Sequence, residues 1–247
     1  MIYICVAARN NAATVGLLLW KVRQVFDEMQ WEYHLLVGDD GSSDATAETL
    51  DMYQAALPMT VRLHERPKGY AATLEMLLRE AVERTDRPKR DCAVVLPADF
   101  RVSPAVIPEL LKRFASGADV VVGEDIRRDG PIGPWLVRRF APWLLRPGLR
   151  LPGIRDLTSG VYAIRLHTVK RCLEDRAGTL LDTDDRCADA ELVARASTHA
   201  RQIAAVPLPA YARARTAAPP PVSLAFTLFR AGRRLRIPAP PVPVQRV

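Results

Sequence analysis

Two apolar runs near the start of the chain constrain its fold more than any other feature. Met1–Ala7 (MIYICVA) is almost continuously apolar, as a strand buried on both faces must be, and Tyr33–Val37 is a second run of strand type. Between them Val15, Leu18, Leu19, Val22, Phe26 and Met29 recur at the helical period. Leu50, Tyr53 and Leu57 repeat that period after the second run, so residues 1–57 read β-α-β-α and predict a parallel sheet. The second run stops at Gly38-Asp39-Asp40-Gly41, where Ser42 or Ser43 can cap the next helix. Ligands of open α/β sheets bind beyond the carboxyl ends of the strands. A strand ending there in two carboxylates, only one of which can cap a helix, marks a candidate site; a plain Asp-Gly turn is the structural alternative.

The alternation continues down the chain. Met59–Leu63 reads as a third strand, followed by His64–Gly69 and a helix through Leu74, Leu77, Leu78 and Ala81. Cys92–Leu96 is a buried strand that runs into Pro97-Ala98-Asp99-Phe100-Arg101, and Ser103-Pro104 opens a helix through Leu110, Leu111 and Phe114. Ala118–Gly123 and Ile203–Pro207 are further strands, while Gly130–Pro152 is broken by glycine and proline. At 247 residues the chain can build one sizeable α/β core, or two small domains. It has no run of 18 apolar residues, so no helix is expected to span a membrane, and it does not open with a signal-peptide pattern. Cys5, Cys92, Cys172 and Cys187 are scattered, which suits small core residues in a reducing compartment better than a disulfide frame or a zinc site.

Charge is placed unevenly. The chain has 35 Lys and Arg against 28 Asp and Glu; seven arginines and no acidic residue follow Ala210, which leaves 28 of each sign before it. A neutral body argues against nucleic acid as a partner, because a binding body shows its own basic face. In the tail, Leu224, Phe226, Leu228, Phe229 and Leu235 stand beside Arg230, Arg233, Arg234 and Arg236. Such a segment suits a helix lying on an anionic membrane surface, or equally a helix docked on the protein's own core.

Several stations resemble family 2 glycosyltransferases in order along the chain. His34–Thr49 (HLLVGDDGSSDATAET) is similar to the V-D-D-G-S-T-D-G-T signature, and Ala7–Asn11 keeps Ala8 and Asn10 of P-A-Y-N-E. Pro97–Arg101 stands where the family has D-x-D, as in D-A-D-L-Q, with Asp99 in the metal-ligand place, Pro97 in place of the first aspartate and Arg101 in place of a glutamine. Ala118–Gly123 resembles A-D-V-V-x-G, with Asp125 where the motif has arginine. Arg155–Arg165 (RDLTSGVYAIR) nearly repeats a motif of the polyprenyl-phosphate sugar transferases. Ala188–Ala196 resembles F-D-x-E-L-L-x-R-A, and Arg213 falls on the last arginine of x-x-V-P-x-x-Y-x-x-R.

The resemblance implies a single GT-A (Rossmann-like) domain over residues 1–213, with a mostly parallel central sheet flanked by helices. A Pro/Arg-rich tail, 214–247, would follow, with a membrane-surface helix at 223–236. It further implies inverting transfer of a sugar from a nucleotide diphospho-sugar to polyprenyl phosphate, in the cytoplasm and peripheral on the inner face of the membrane. Ala8, Asn10, Asp39 and Asp40 would hold the nucleoside, and Lys68 the donor phosphates. Asp99, with Mg²⁺ or Mn²⁺, and Arg101 would meet the diphosphate. Arg138, Arg139, Ser159, Gly160 and Arg213 would serve the acceptor or the phosphates. Asp189 and Glu191 would be the general-base candidates, required only for a hydroxyl acceptor. The alternatives are the same fold glycosylating a soluble hydroxyl acceptor, and a non-catalytic relative. The second is suggested by Asn11, Glu75, Pro97, Arg101 and Asp125 standing where the family has other residues.

Overall fold

The first apolar run forms β1 (Ile2–Ala8) and the second β2 (Tyr33–Asp39), paired in parallel from Ile2 opposite Tyr33 to Ala8 opposite Asp39. A computed structural model describes residues 1–125, 136, 140–141, 143–145, 148–149, 151, 153–157, 159–176, 178–208 and 221–246. β3 (Met59–Leu63) extends the sheet parallel to β2, and β4 (Cys92–Val95) lies parallel to β1 on its other side. Beyond β4 come β6 (Tyr162–Arg165), β5 (Val120–Glu124), β7 (Ile203–Pro207) and β8 (Val244–Arg246), so the eight strands run in the order β3-β2-β1-β4-β6-β5-β7-β8. Only β6 is antiparallel to its neighbours, and the sheet is mostly parallel as expected.

Both faces of the sheet are covered, which is why β1 had to be apolar throughout. Ile2, Ile4 and Val6 pack on one side with Leu18, Leu19 and Val22 of α1 (Ala12–Met29), Leu50 of α2 (Thr46–Gln54) and Leu110 of α4 (Ile107–Ala115). Tyr3 and Cys5 face the opposite side. There they meet Leu74, Leu77 and Leu78 of α3 (Tyr70–Arg84), Val169 of α5 (Leu166–Glu174) and Leu192 of α6 (Asp185–His199). Each of these wholly buried aliphatic side chains contributes about 1.5–3 kcal/mol. The four cysteines are buried and form no disulfide among the described residues, and burial pushes the Cys92 and Cys172 thiols up to about 12.

The segment read as a tail joins this core. Leu228 and Ala231 of α7 (Pro221–Arg234), with Leu235 and Ile237 after it, are buried in the second cluster, and β8 pairs with β7. Its inner face is therefore docked on the body. The expected boundary at 213–214 falls in 209–220, outside the described residues. Among the described residues no helix is long and apolar enough to cross a membrane.

Candidate active site

The carboxyl ends of β1, β2, β3 and β4 share one edge of the sheet, and the loops that leave them are tied to one another by side chains. After β1, Asn10 adopts a positive φ of 53°. Its Oδ1 accepts the Ser43 amide at 2.9 Å, and its own amide donates to Ser42 Oγ at 2.9 Å. Asp39, the last residue of β2, uses Oδ1 to accept the Ser42 amide at 3.1 Å and the Ser42 hydroxyl. Its Oδ2 makes no hydrogen bond among the described residues. Ser42 and Ser43 therefore do not cap α2; they lace the β2 loop to the β1 loop. The capping falls to a residue that motif reading passed over, Asp44, whose carboxylate accepts the Ala12 amide at the start of α1 and the Thr46 amide at the start of α2. Ala8 is buried and contributes its carbonyl, which accepts the Asp40 amide at 2.9 Å.

Asp40 does a different job from Asp39. Its Oδ1 accepts the Lys68 amide at 2.6 Å and contacts His64 Nδ1 at 3.2 Å, while Oδ2 accepts the Gly69 amide at 3.0 Å. Burial pushes this carboxyl up, but the Lys68 amide, the His64 ring and the Gly69 amide outweigh it and hold the pKa below 3.8. Both oxygens are thus engaged in shaping the loop that follows β3. Gly69 has φ 97°, and a Cβ there would fall on the Asp184 carboxylate. That same carboxylate accepts the Ala71 amide in the first turn of α3 at 2.8 Å. The acidic stretch 182–185, which reads as a solvated loop, is thus used for capping by Asp184 and for ion pairs by Asp182 with Arg176 and Arg195. Lys68 extends an exposed side chain from the same loop.

Tyr70, next to Gly69, links this loop to a second cluster. Its hydroxyl donates to Asp189 Oδ1 at 2.7 Å, and Tyr162 on β6 donates to the same oxygen at 2.8 Å. Burial and then the Asp189 charge push both phenols well up, so they stay protonated donors. The loop after β4 brings Asp99 and Arg101 to the same region. The Arg101 amide donates to Asp99 Oδ1 at 3.1 Å, and the guanidinium lies 3.6 Å from Asp99 Oδ2. Phe100 between them has φ 54°, and Thr14 of α1 anchors the loop through the Ala98 carbonyl at 2.8 Å. Gly160, at φ 70°, is where the chain passes closest. A Cβ there would stand 2.9 Å from an Arg101 guanidinium nitrogen and 3.3 Å from Asp189 Oδ2. Only glycine admits that approach without strain. Arg101 Nε is buried with no hydrogen-bond partner.

Asn10, Asp39, Asp40 and Lys68 are thus brought together, and Asp99, Arg101, Gly160 and Asp189 form a second group joined to them through Tyr70. Ser159 sits beside Gly160 and accepts the Val161 amide at 3.2 Å. Glu191 stands apart: it is fully buried, and its carboxylate accepts the Asp182 and Thr183 amides and the Arg195 guanidinium. Arg138, Arg139 and Arg213 lie outside the described residues. Tyr70 was missed because a lone aromatic after Lys-Gly carries no motif; its place at the first turn of α3 was the only signal. No group of three His, Cys, Asp or Glu close enough to hold a metal occurs among the described residues. Asp99 offers one carboxylate with a guanidinium beside it. That donor set fits a hard divalent ion where the donor's own diphosphate oxygens complete the shell.

Comparison with known proteins agrees with this architecture. A dolichol-phosphate mannosyltransferase of Pyrococcus furiosus is 29% identical over 146 residues, which are 56% of this chain and 39% of that protein's length. A polyprenol monophosphomannose synthase of Mycolicibacterium smegmatis is 24% identical over 214 residues, 83% of this chain and 75% of its own. Among solved structures, glucosyl-3-phosphoglycerate synthase of Mycobacterium tuberculosis with Mn²⁺, UDP and phosphoglyceric acid superposes with a TM-score of 0.64. The identity is 19%, over 94% of this chain and 78% of that one. The glycosyl transferase family 2 pattern matches residues 3–169, from β1 into α5, and the chain belongs to that family, on the GT-A fold.

Proposed function

We propose that this family 2 glycosyltransferase moves a sugar from a nucleotide diphospho-sugar to polyprenyl phosphate, with inversion at the anomeric carbon. One observation supports the choice of acceptor: Glu191 is wholly committed to the fold, and Asp189 has one oxygen taken by two tyrosines and the other beside the Arg101 guanidinium at Gly160, a setting that favours an ionised acceptor over a proton-taking carboxylate. A hydroxyl acceptor would need a carboxylate at hand to take its proton, whereas a phosphate arrives already ionised. The names of the two curated relatives point the same way.

In this scheme Asp39 meets the nucleoside through Oδ2, and Asp40 sets the Lys68–Gly69 loop that covers the donor phosphates. Asp99 would hold Mg²⁺ or Mn²⁺ together with the diphosphate, and such an ion neutralises charge on the leaving group. Arg101, held between Asp99 and Gly160, presents a fixed positive charge to the same diphosphate. Tyr70 and Tyr162 keep Asp189 turned toward Gly160, where the acceptor would approach the backbone. Arg138, Arg139 and Arg213 are assigned to the acceptor phosphate by resemblance alone.

The test is transfer from a panel of nucleotide sugars to a short-chain polyprenyl phosphate, its alcohol, and phosphoglyceric acid. Product on the phosphate and none on the alcohol is expected. Product on the alcohol or the soluble acid alone would replace this reading with soluble-acceptor glycosylation. Donor binding without any turnover would mark a non-catalytic relative.

A further inference from the structure

Eleven large apolar side chains are exposed among the described residues, and five of them gather on two elements in contact with each other. Leu136 (40% exposed), Phe140 (52%) and Trp143 (65%) are spaced i, i+4, i+7, which places them on one helical face. Ala141 and Leu145 turn inward and are wholly buried. On α7, Phe226 (66%) and Phe229 (43%) point outward beside Arg230 and Arg233, while Leu228 and Ala231 are buried in the same core cluster as Ala141 and Leu145. The two elements meet backbone to backbone. A Cβ on Gly232 would stand 2.7 Å from the Leu144 carbonyl oxygen, and the Ile237 amide donates to the Gly148 carbonyl at 2.8 Å. Their inner faces share one core and their outer faces lie side by side.

Charge selects what covers this face. Residues 221–246 carry Arg230, Arg233, Arg234, Arg236 and Arg246 and no acidic side chain. The exposed aromatics elsewhere, Trp20 on α1 and Trp31, sit among residues of both signs, with Arg23, Asp27, Glu28 and Glu32 nearby in sequence. Exposed aromatic rings on an element whose charged residues are all arginines match a bilayer of anionic phospholipid: rings settle at the headgroup boundary, and each arginine near the surface contributes about 1 kcal/mol.

We propose that the outer face of α7 and the exposed side chains of Leu136, Phe140 and Trp143 form one docking surface for an anionic lipid bilayer, with Trp143, Phe140, Phe226 and Phe229 inserted at the headgroups. The surface rests on the polyprenyl-phosphate reading for its purpose, since a lipid acceptor stays in its membrane.

The experiment is co-sedimentation with phosphatidylglycerol/phosphatidylcholine vesicles and with phosphatidylcholine alone. The proteins compared are wild type, Phe226→Ser/Phe229→Ser, Phe140→Ser/Trp143→Ser and Arg233→Gln. Melting temperature and transfer to a short-chain, detergent-free polyprenyl phosphate are read alongside. Wild type should bind the anionic vesicles and release in high salt, because the attraction is screened within about 8 Å at physiological ionic strength. Each aromatic pair should weaken binding about tenfold or more and Arg233→Gln by less, with melting and short-chain transfer unchanged. Wild-type protein that ignores anionic vesicles at low salt, that binds both vesicle types equally, or whose aromatic variants bind as well as wild type overturns the proposal. So does a dimer that the aromatic variants split, because the face would then be covered by a second copy. Vesicle binding without transfer to the short-chain phosphate would leave the docking surface standing and remove the acceptor reading.

Discussion

The division of labour between the two adjacent aspartates gives the sharpest test of the donor site. Asp40 grips two consecutive backbone amides, Lys68 at 2.6 Å and Gly69 at 3.0 Å, and also meets His64 at 3.2 Å. A hydrogen bond to a charged group contributes about 1.5–3 kcal/mol. Asp40→Asn keeps the shape but offers one neutral oxygen and one NH₂, so one amide keeps a weaker partner and the other faces a donor. Because Lys68 is exposed, water recovers part of the loss, which leaves about 2–3 kcal/mol against the closed loop. If every part of that falls on donor binding, affinity drops about 30- to 150-fold, the limit set by the population of the closed loop. Calorimetric titration of a nucleoside diphosphate and its sugar, with melting temperature as a control, reads this directly.

Asp39→Asn should act differently, since its free Oδ2 is proposed to touch the nucleoside, and its effect should depend on which base is offered. Unchanged affinity in Asp40→Asn would show that the loop needs no such clamp. Complete loss of binding would show that Asp40 itself contacts the donor. The pH dependence has a fixed sign. The folded pKa of Asp40 lies below 3.8, so its contribution is present above that value and is lost only as pH falls through the lower folded value. Donor affinity should therefore not weaken on Asp40's account anywhere in the neutral or mildly acidic range.

Three further outcomes follow from the same geometry. Arg165→Ala should destabilise the fold by about 1–3 kcal/mol, read by denaturant melts: it takes from the buried Asp119 its partner at 2.6 Å, leaving Arg201 to hold the carboxylate, and strips donors from the Lys89 and Ala118 carbonyls. A shift under 1 kcal/mol would contradict it. Gly69→Ala, forced into φ 97° against Asp184, should cost about 1–3 kcal/mol and weaken donor binding, with the melting temperature and the titration as readouts. Arg101→Gln should lower kcat about 10²–10³-fold without rescue by Mn²⁺, while wild type keeps residual transfer in EDTA; activity that vanishes in EDTA and survives Arg101→Gln would instead assign the diphosphate to an ordinary metal site.

Most of the fold was legible because strands buried on both faces leave an unmistakable apolar signature. Met1–Ala7, Tyr33–Val37 and Cys92–Leu96 all became strands within a residue or two of their expected ends. β2 ran on through Gly38 and Asp39, since backbone pairing with Ala7 and Ala8 does not require apolar side chains. The single antiparallel strand, β6, was not legible: a short apolar segment carries no record of direction. The same turn explains Arg165. It belongs to the motif that brings Gly160 to the site, yet the reversed strand carries it to the opposite edge, where it holds Asp119 and stacks on Phe114. The sequence left the tail helix open between a membrane surface and the protein's own core because its apolar positions serve two surfaces at once, Leu228 and Leu235 inward, Phe226 and Phe229 outward. In the site itself the residue types were visible, but not their partners. Nothing in the order Asp-Asp-Gly-Ser-Ser says that one aspartate would clamp a loop 28 residues away.

The departures from the family pattern divide along the same line between packing and chemistry. Glu75, standing where a helix glycine is expected, is buried; its Oε2 accepts the Leu180 amide at 2.7 Å and its Oε1 pairs with Arg79. A glycine there could not hold the 178–181 turn against α3. Asn11 accepts the Arg9 amide at 2.9 Å, and its own amide donates to Thr46, so it joins the lacing of the β1 and β2 loops. Both residues therefore hold specific structural contacts in this chain. Pro97 and Arg101 are another matter, because they alter the charge of the loop proposed to meet the diphosphate. There too the replacement is organised: the loop is pinned by Thr14, Phe100 turns through a positive φ, and the guanidinium is packed against Gly160 with a buried Nε still unpaired. A buried donor without a partner costs free energy in the empty protein. An anionic oxygen arriving with the donor is the ligand that would recover it in the proposed role of Arg101.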